Sequence, residues 1–452
     1  MPKFTKDAKR LNPARLLVLG FLIIIAAGTI LLWLPFSSRD GSFSPIFDCL
    51  FTATSATCVT GLTVVDTFSH WSFFGQLVIA LLIQVGGLSF VTIITFFNVA
   101  AGKKLGFHTL QIAAGELSEN SLEGGRQILV SIMKYSLIIE LVGALILAIE
   151  FVPKYGAHGV WVSIFISISS FCNAGFDIIG AEASLTGFQS SPLVLITVAL
   201  MAFVGGLGFI VWENFLTIRK TKKISLHSRV VLVTSGALVI GGTMLYLIAE
   251  WSNPSTIGNM GFGEKLLNAF FSSVATRSVG FNSIPIDGMT EFSKLGTIFL
   301  MFVGSAPGST GGGIKVTTLM VMIMTVYSII CNKSDVEIFG HKIGKDAVYR
   351  TLVSVVLSFA AVSVCFTGVY FLMPDGAMEN GALDCLFDSV AVFSTAGLTV
   401  GTAAASGIAG RIILLLTMFA GRLGPVSVIM SLTLNSAKRK NTVLPEGQIL
   451  IG

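Results

Sequence analysis

Apolar residues in this chain gather in long runs, and the few charges sit between them. Runs at roughly 14–35, 71–100, 127–152, 190–217, 230–250, 293–330, 347–373 and 409–436 each reach the ~20 residues that a helix needs to cross a bilayer. Between successive pairs lie shorter apolar stretches at 45–56, 161–171, 264–275 and 383–394. These are too short to span hydrocarbon and are expected to enter and return as re-entrant helices. The pattern predicts an all-α polytopic membrane protein with eight transmembrane helices and four re-entrant pore helices. It is expected to form four pseudo-repeated membrane–pore–membrane units around one central pore.

The charges orient this arrangement. Twenty of the 29 Lys and Arg fall in five segments, one after every second crossing: the N-terminus, the surroundings of Lys103, of Arg219 and of Lys333, and the tail after Lys438. Basic connections stay in the cytoplasm, so both termini are expected inside. The resulting divisions are a cytoplasmic N-terminus 1–13, repeat one 14–100, a linker 101–125, repeat two 126–217 and a linker 218–229. Repeat three covers 230–330, followed by a linker 331–346, repeat four 347–436 and a tail 437–452. The first apolar run follows the basic residues up to Arg15 and ends at Trp33–Leu34–Pro35. It is longer than a signal-peptide core and reads as a retained membrane helix.

An internal repeat of glycines marks the same four units. Each pore stretch is followed by one: Gly61, Gly175, Gly280 and Gly397, spaced by 114, 105 and 117 residues. Ten residues before them stand Phe51, Phe165, Phe270 and Phe387, and a second glycine follows each, at Gly86, Gly205, Gly304 and Gly421. Asp-Cys-Leu-Phe occurs at the same offset in repeats one and four, at Asp48 and Asp384.

Composition now becomes informative. Of 452 residues 53% are hydrophobic and only 12% charged, with 48 glycines and a net charge of +5. So few charges cannot cover a soluble body of this size, which excludes a soluble enzyme, a disordered chain and a nucleic-acid binder. The surface is expected to face lipid. The six cysteines form no CxxC pair and read as buried free thiols. The five histidines have no metal or catalytic spacing, so the chain is not read as an enzyme, and it needs no cofactor of its own.

Four glycine-containing loops meeting on one axis suit cation passage. Irregular backbone at membrane depth is tolerated where it lines a cavity, and rings of carbonyls can replace the water around a weakly hydrated cation such as K⁺. The pore helices aim their C-terminal dipoles at the same centre, which also favours a cation. The candidate filter residues are Thr57, Cys58, Val59, Thr60 and Gly61; Cys172, Asn173, Ala174 and Gly175; Arg277, Ser278, Val279 and Gly280; and Ser394, Thr395, Ala396 and Gly397. Asp177 either draws cations to the mouth or caps a loop.

A second candidate region lies in the run 293–330, which is too long for one simple span. Its middle reads Gly304, Ser305, Ala306, Pro307, Gly308, Ser309, Thr310, Gly311, Gly312, Gly313, Ile314, Lys315. Proline costs about 3 kcal/mol and glycine about 1 inside a helix, so this segment is expected to unwind and line the pore beneath the filter. It is not a nucleotide-binding P-loop, because Ile314–Lys315 stands where Lys-Ser/Thr is required. Arg422 lies inside the last apolar run, where a charge is costly and is expected to face a cavity. Lys315 is expected near the cytoplasmic mouth. Arg277 and Arg411 are expected near the outer surface; Glu140 and Glu150 are read as helix-packing residues, with a proton or Na⁺ coupling site as the alternative.

Cys-Val-Thr-Gly-Leu-Thr, Asn-Ala-Gly-Phe, Ser-Val-Gly-Phe-Asn and Ser-Thr-Ala-Gly-Leu-Thr at the four loops, with the ending Leu444–Gly452, resemble the Trk/Ktr/HKT superfamily of potassium transporters. Within it the chain looks most like the Ktr pore subunits. The resemblance implies K⁺ uptake across a bacterial cell membrane, with K⁺ as the transported ion and Na⁺ as a second ion to consider. Glycine at all four filter positions implies K⁺ selectivity, since serine at the first is associated with Na⁺ permeation. It also implies an intramembrane gating loop at 304–315, and an electrostatic barrier at Arg422. Its further implications are a homodimer and a cytosolic ring of RCK-type, KtrA-like subunits that carries the nucleotide. The alternative is a Na⁺-coupled carrier with alternating access. Such carriers break helices in corresponding positions of inverted repeats, whereas here the repeats run in one direction and only the third is expected to carry the long break.

Overall fold

The computed structural model describes residues 13–88, 92, 122–180, 184–374 and 381–432. The N-terminal stretch 1–12, most of the linker 101–125 and the tail 437–452 lie outside the described residues. Fifteen helices of eight residues or more organise the described chain. The first group is α1 (Pro13–Trp33), α2 (Ile46–Thr57) and α3 (Phe73–Leu88). The second is α4 (Leu122–Tyr155), α5 (Ala157–Phe171), α6 (Pro192–Gly206) and α7 (Phe209–Thr221). The third is α8 (Leu226–Glu250), α9 (Phe262–Ala275), α10 (Glu291–Phe302) and α11 (Val316–Ile330). The fourth is α12 (Lys345–Leu372), α13 (Ala382–Phe393), α14 (Ile408–Leu423) and α15 (Pro425–Leu432).

Four helices are long and apolar enough to cross a membrane, within α1, α4, α8 and α12; α6 and α7 make a fifth if a bent pair counts as one span. Their apolar side chains are far from all buried: Ile23 is 68% exposed, Leu141 62%, Ile248 77% and Phe371 79%. Such surfaces suit lipid. The short helices α2, α5, α9 and α13 coincide with the four short apolar stretches of the sequence. Phe51, Phe165 and Phe387 are buried among them and Phe270 partly so, which explains why a phenylalanine recurs at that offset. A two-stranded hairpin pairing Glu337–Ile338 with His341–Lys342 is a small departure from the all-α expectation.

Helix contacts follow a circular order. Each short helix packs inside its own group, α2 on α1, α5 on α4, α9 on α8 and α13 on α12. Each also touches the neighbouring group: α5 meets α3, α9 meets α6, α13 meets α10, and α2 meets α14. The last contact joins the end of the chain to its beginning.

One expectation fails. The break was expected in the third group alone, yet α6 and α7 bend by 94° and α14 ends at Gly424 before α15. Gly208, at φ +89, turns the chain between α6 and α7, a conformation that glycine reaches without a steric cost. The bend is then held from outside, because Phe209 N–H donates to Gly308 O at 2.9 Å. After Gly424, at φ +81, Pro425 cannot donate back into α14.

Candidate ion pathway

Each short helix hands over to a turn at its C-terminal end. Backbone N–H groups of Cys58, Cys172, Thr276 and Ser394 close the last helical bonds, at 2.8, 2.9, 3.1 and 2.8 Å. Two residues before each filter glycine the backbone turns left-handed, at Val59 (φ 57°), Asn173 (φ 60°), Ser278 (φ 63°) and Thr395 (φ 51°). In three loops the next N–H reaches back to the helix: Thr60 to Ser55 O, Ala174 to Ser169 O and Ala396 to Ala391 O, at 2.8, 2.7 and 2.7 Å. That is the αL helix ending usually made with glycine. Here a β-branched valine and threonine adopt it, which is strained backbone of the kind found at functional sites. The third loop differs, since Val279 N–H bonds to Ala275 O at 3.2 Å.

The four glycines then converge, all at positive φ (Gly61 84°, Gly175 68°, Gly280 82°, Gly397 72°). A β-carbon on Gly61 would lie 2.5 Å from Ala174 O, and one on Gly280 would lie 2.5 Å from Gly175 Cα. One on Gly397 would meet Gly280 Cα at 2.9 Å and overlap Thr60 O. Loop one therefore touches two, two touches three, three touches four and four touches one. Ser278 Oγ adds a bond to Ser394 O at 2.8 Å. At this level the ring is backbone, with no room for side chains.

The second set of glycines proves to be a packing feature that the sequence signalled without explaining. A β-carbon on Gly86, Gly205 or Gly421 would run into Thr57 O, Phe171 O or Phe393 O, the last carbonyls of α2, α5 and α13. Glycine lets each following helix press against the end of its own short helix. Gly304 is the exception: it faces Gly312 O across the 304–315 loop.

That loop is unwound, as the sequence predicted. Between Val303 and Val316 only a single bridge, Val303 with Ile314, resembles regular structure. Ala306 N–H bonds to Gly206 O at 3.0 Å and Thr310 N–H to Gly205 O at 3.4 Å, so the loop leans on the bend after α6. Gly312 N–H donates to Thr395 Oγ1 at 3.0 Å, and Ser305 Oγ to Arg277 O at 3.3 Å, which ties the loop to filter loops three and four. Ser309 Oγ closes a local turn onto Ala306 O, and Pro307 and Gly308 face the α6–α7 bend.

Arg422 enters from the end of α14. Its guanidinium donates to Thr310 O, to Gly86 O and, at 3.2 Å, to Gly87 O. One cation thus clamps the loop to the end of α3. Lys315 is half-buried at the end of the loop, and its Nζ donates back to Gly311 O at 2.8 Å. Arg277 turns into the protein. It is 7% exposed, inside the protein, donating to Ser235 O and Ser235 Oγ at 3.1 and 3.0 Å. The guanidinium is therefore anchored on α8, while only the backbone belongs to the filter loop. Arg411 is half-buried and pairs with Asp48 at 3.3 Å. Asp177, beyond the glycine ring, accepts a long bond, 3.5 Å, from Ile179 N–H. Among the described residues, no group of three or more His, Cys, Asp or Glu could hold a metal ion.

The chain is similar to known proteins in sequence and in fold. The TrkH family, described as cation transport protein, matches residues 12–441. The chain belongs to this family. It is therefore one of a family of transporters and not of enzymes. It is similar to the potassium/sodium uptake protein NtpJ of Enterococcus hirae, with 38% identity over 98% of either chain. It is also similar to the Ktr system potassium uptake protein B of Bacillus subtilis, with 33% identity over 98% of this chain and 97% of that one. The crystal structure of the potassium transporter TrkH from Vibrio parahaemolyticus shares the fold, with a TM-score of 0.72 at 17% identity over 96% of this chain and 87% of that one.

Proposed function

We propose that this chain is the pore subunit of a potassium uptake system, passing K⁺ through the glycine ring and past the 304–315 loop. The observation that carries the reading is the closure of Gly61, Gly175, Gly280 and Gly397 into one backbone ring. Carbonyls presented by such a ring suit a weakly hydrated monovalent cation. The relatives' names, potassium/sodium uptake protein and potassium uptake protein, support the same ion class. Influx is driven mainly by membrane potential, about 2.3 kcal/mol per charge per 100 mV.

In this reading α1–α3, α4–α7, α8–α11 and α12–α15 form four membrane–pore–membrane units with eight crossings, and both termini are cytoplasmic. The 304–315 loop is the gate, and Arg422 is the fixed charge that holds it shut beneath the filter. The working unit is a homodimer with a cytosolic nucleotide-binding ring. The Ktr name of the Bacillus relative, which denotes a system, supports a separate partner. Sodium enters as a competing or coupled ion.

Alternating access is the second reading, and one observation favours it: three of the four groups carry broken helices, not one. The bare glycine ring favours a pore, because a carrier site needs side chains or unwound segments that move apart. Growth of a bacterium lacking its own K⁺ uptake tests the assignment. Expression of the chain is expected to restore growth at micromolar K⁺, and failure with protein present in the membrane would count against it.

A further inference from the structure

Behind the second filter loop lies a cluster of polar side chains that the pathway above does not use. Glu140, in the middle of α4, is 6% exposed. Gln84 Nε2 of α3 donates to both its carboxyl oxygens, at 2.9 and 3.1 Å. The Cys172 thiol lies 3.9 Å from Glu140 Oε1 and 3.8 Å from Gln84 Oε1. Ser167 Oγ of α5 donates to the backbone oxygen of Glu140 at 2.5 Å. No ion pair involves Glu140 among the described residues. Of the helices packed around it, α3 and α6 carry no ionisable side chain, and α5 only His158 near its far end. An ionisable residue buried in a membrane helix marks a functional site by default.

The cluster touches the filter at one point and the clamp at another. Cys172 caps α5 and opens filter loop two. A β-carbon on Gly87 would lie 2.7 Å from Cys172 Sγ, so the end of α3 sits flush on that sulfur. The same Gly87 carbonyl accepts from Arg422 at 3.2 Å. Loop two in turn meets both neighbours in the ring, through Ala174 O at Gly61 and through Gly175 at Gly280. A small shift of loop two therefore alters two of the four ring contacts, and a satisfied buried network is what fixes a single arrangement.

We propose that Glu140 is a positioning residue for ion selection: through Gln84 and Cys172 its carboxyl holds the second filter loop in register with the other three. The proposal rests on the reading of the glycine ring as a K⁺ filter. It acts by hydrogen bonding alone, with no chemical step.

The test measures rubidium and sodium tracer influx into liposomes holding the full chain. Glu140→Ala is expected to lower the rubidium-to-sodium ratio roughly tenfold, the scale set by losing hydrogen bonds to a buried charged or polar group. Glu140→Gln, which keeps an acceptor and the shape, is expected to restore most of the ratio. Cys172→Ala combined with Glu140→Ala is expected to cost little more than either alone, because both act through one contact. A merely structural role would lower both fluxes together and leave the ratio in place. An unchanged ratio in assembled Glu140→Ala, or additive losses in the double variant, would overturn the proposal. Should Glu140→Ala fail to assemble, Gln84→Met decides in its place by the same ratio. A wild-type protein without preference for rubidium would instead overturn the filter reading beneath it.

Discussion

At Gly61 the backbone stands at φ +84° and Ala174 O occupies the space of a side chain. A non-glycine residue there costs about 1–2 kcal/mol in backbone conformation alone, and loop two must also give way. Gly61→Ser is therefore expected to lower K⁺/Na⁺ selectivity in reconstituted flux while leaving an assembled protein; unchanged selectivity would contradict the filter assignment. The residues of this ring were legible in the sequence because the four glycines recur at nearly constant spacing. The residues behind it were not. Glu140 finds the Cys172 thiol 32 positions away, and Arg277 finds Ser235 42 positions away on another helix. Nothing local marks such pairs. A buried arginine and one near the surface look alike in a list of residues.

Among elements, the 304–315 loop and the broken helices teach opposite lessons. Five glycines and a proline in twelve residues exceed what a helix tolerates, so the unwound loop was plain. The other two breaks carry fewer such residues, Gly205, Gly206 and Gly208 in one run and Gly421, Gly424 and Pro425 in the other, and each glycine costs only about 1 kcal/mol in a helix, so they stand out less against their apolar runs. The bend at Gly208 is held by tertiary contact, Phe209 N–H with Gly308 O. The repeated Asp-Cys-Leu-Phe gains a meaning at this scale. Asp48 of α2 pairs with Arg411 of α14, and Asp384 of α13 with the buried Lys294 of α10 at 2.9 Å. Each strap joins a short helix to the group before it in the ring. For the loop itself, removal of residues 306–312 is expected to raise basal flux, since it deletes Thr310, the loop residue whose carbonyl Arg422 holds. Abolished flux from a normally assembled variant would speak against a gate.

At the scale of the whole molecule, the circular order of helix contacts joins four loosely similar segments into one closed ring. The order was implicit in the repeat, but the closing contact between α14 and α2 spans nearly the full chain and has no sequence signature. The excess of glycine also resolves into two structural tasks, bare backbone in the ring and close packing where α3, α6 and α14 meet their short helices. In the proposed reading both tasks serve a central passage for a partly dehydrated cation. The measurement that bears most directly on this claim is rubidium uptake into liposomes containing the purified chain, under an inside-negative potential, with sodium as competitor. The account expects potential-driven rubidium influx that sodium in large excess inhibits only weakly. Absence of influx, or influx abolished by equimolar sodium, would contradict it.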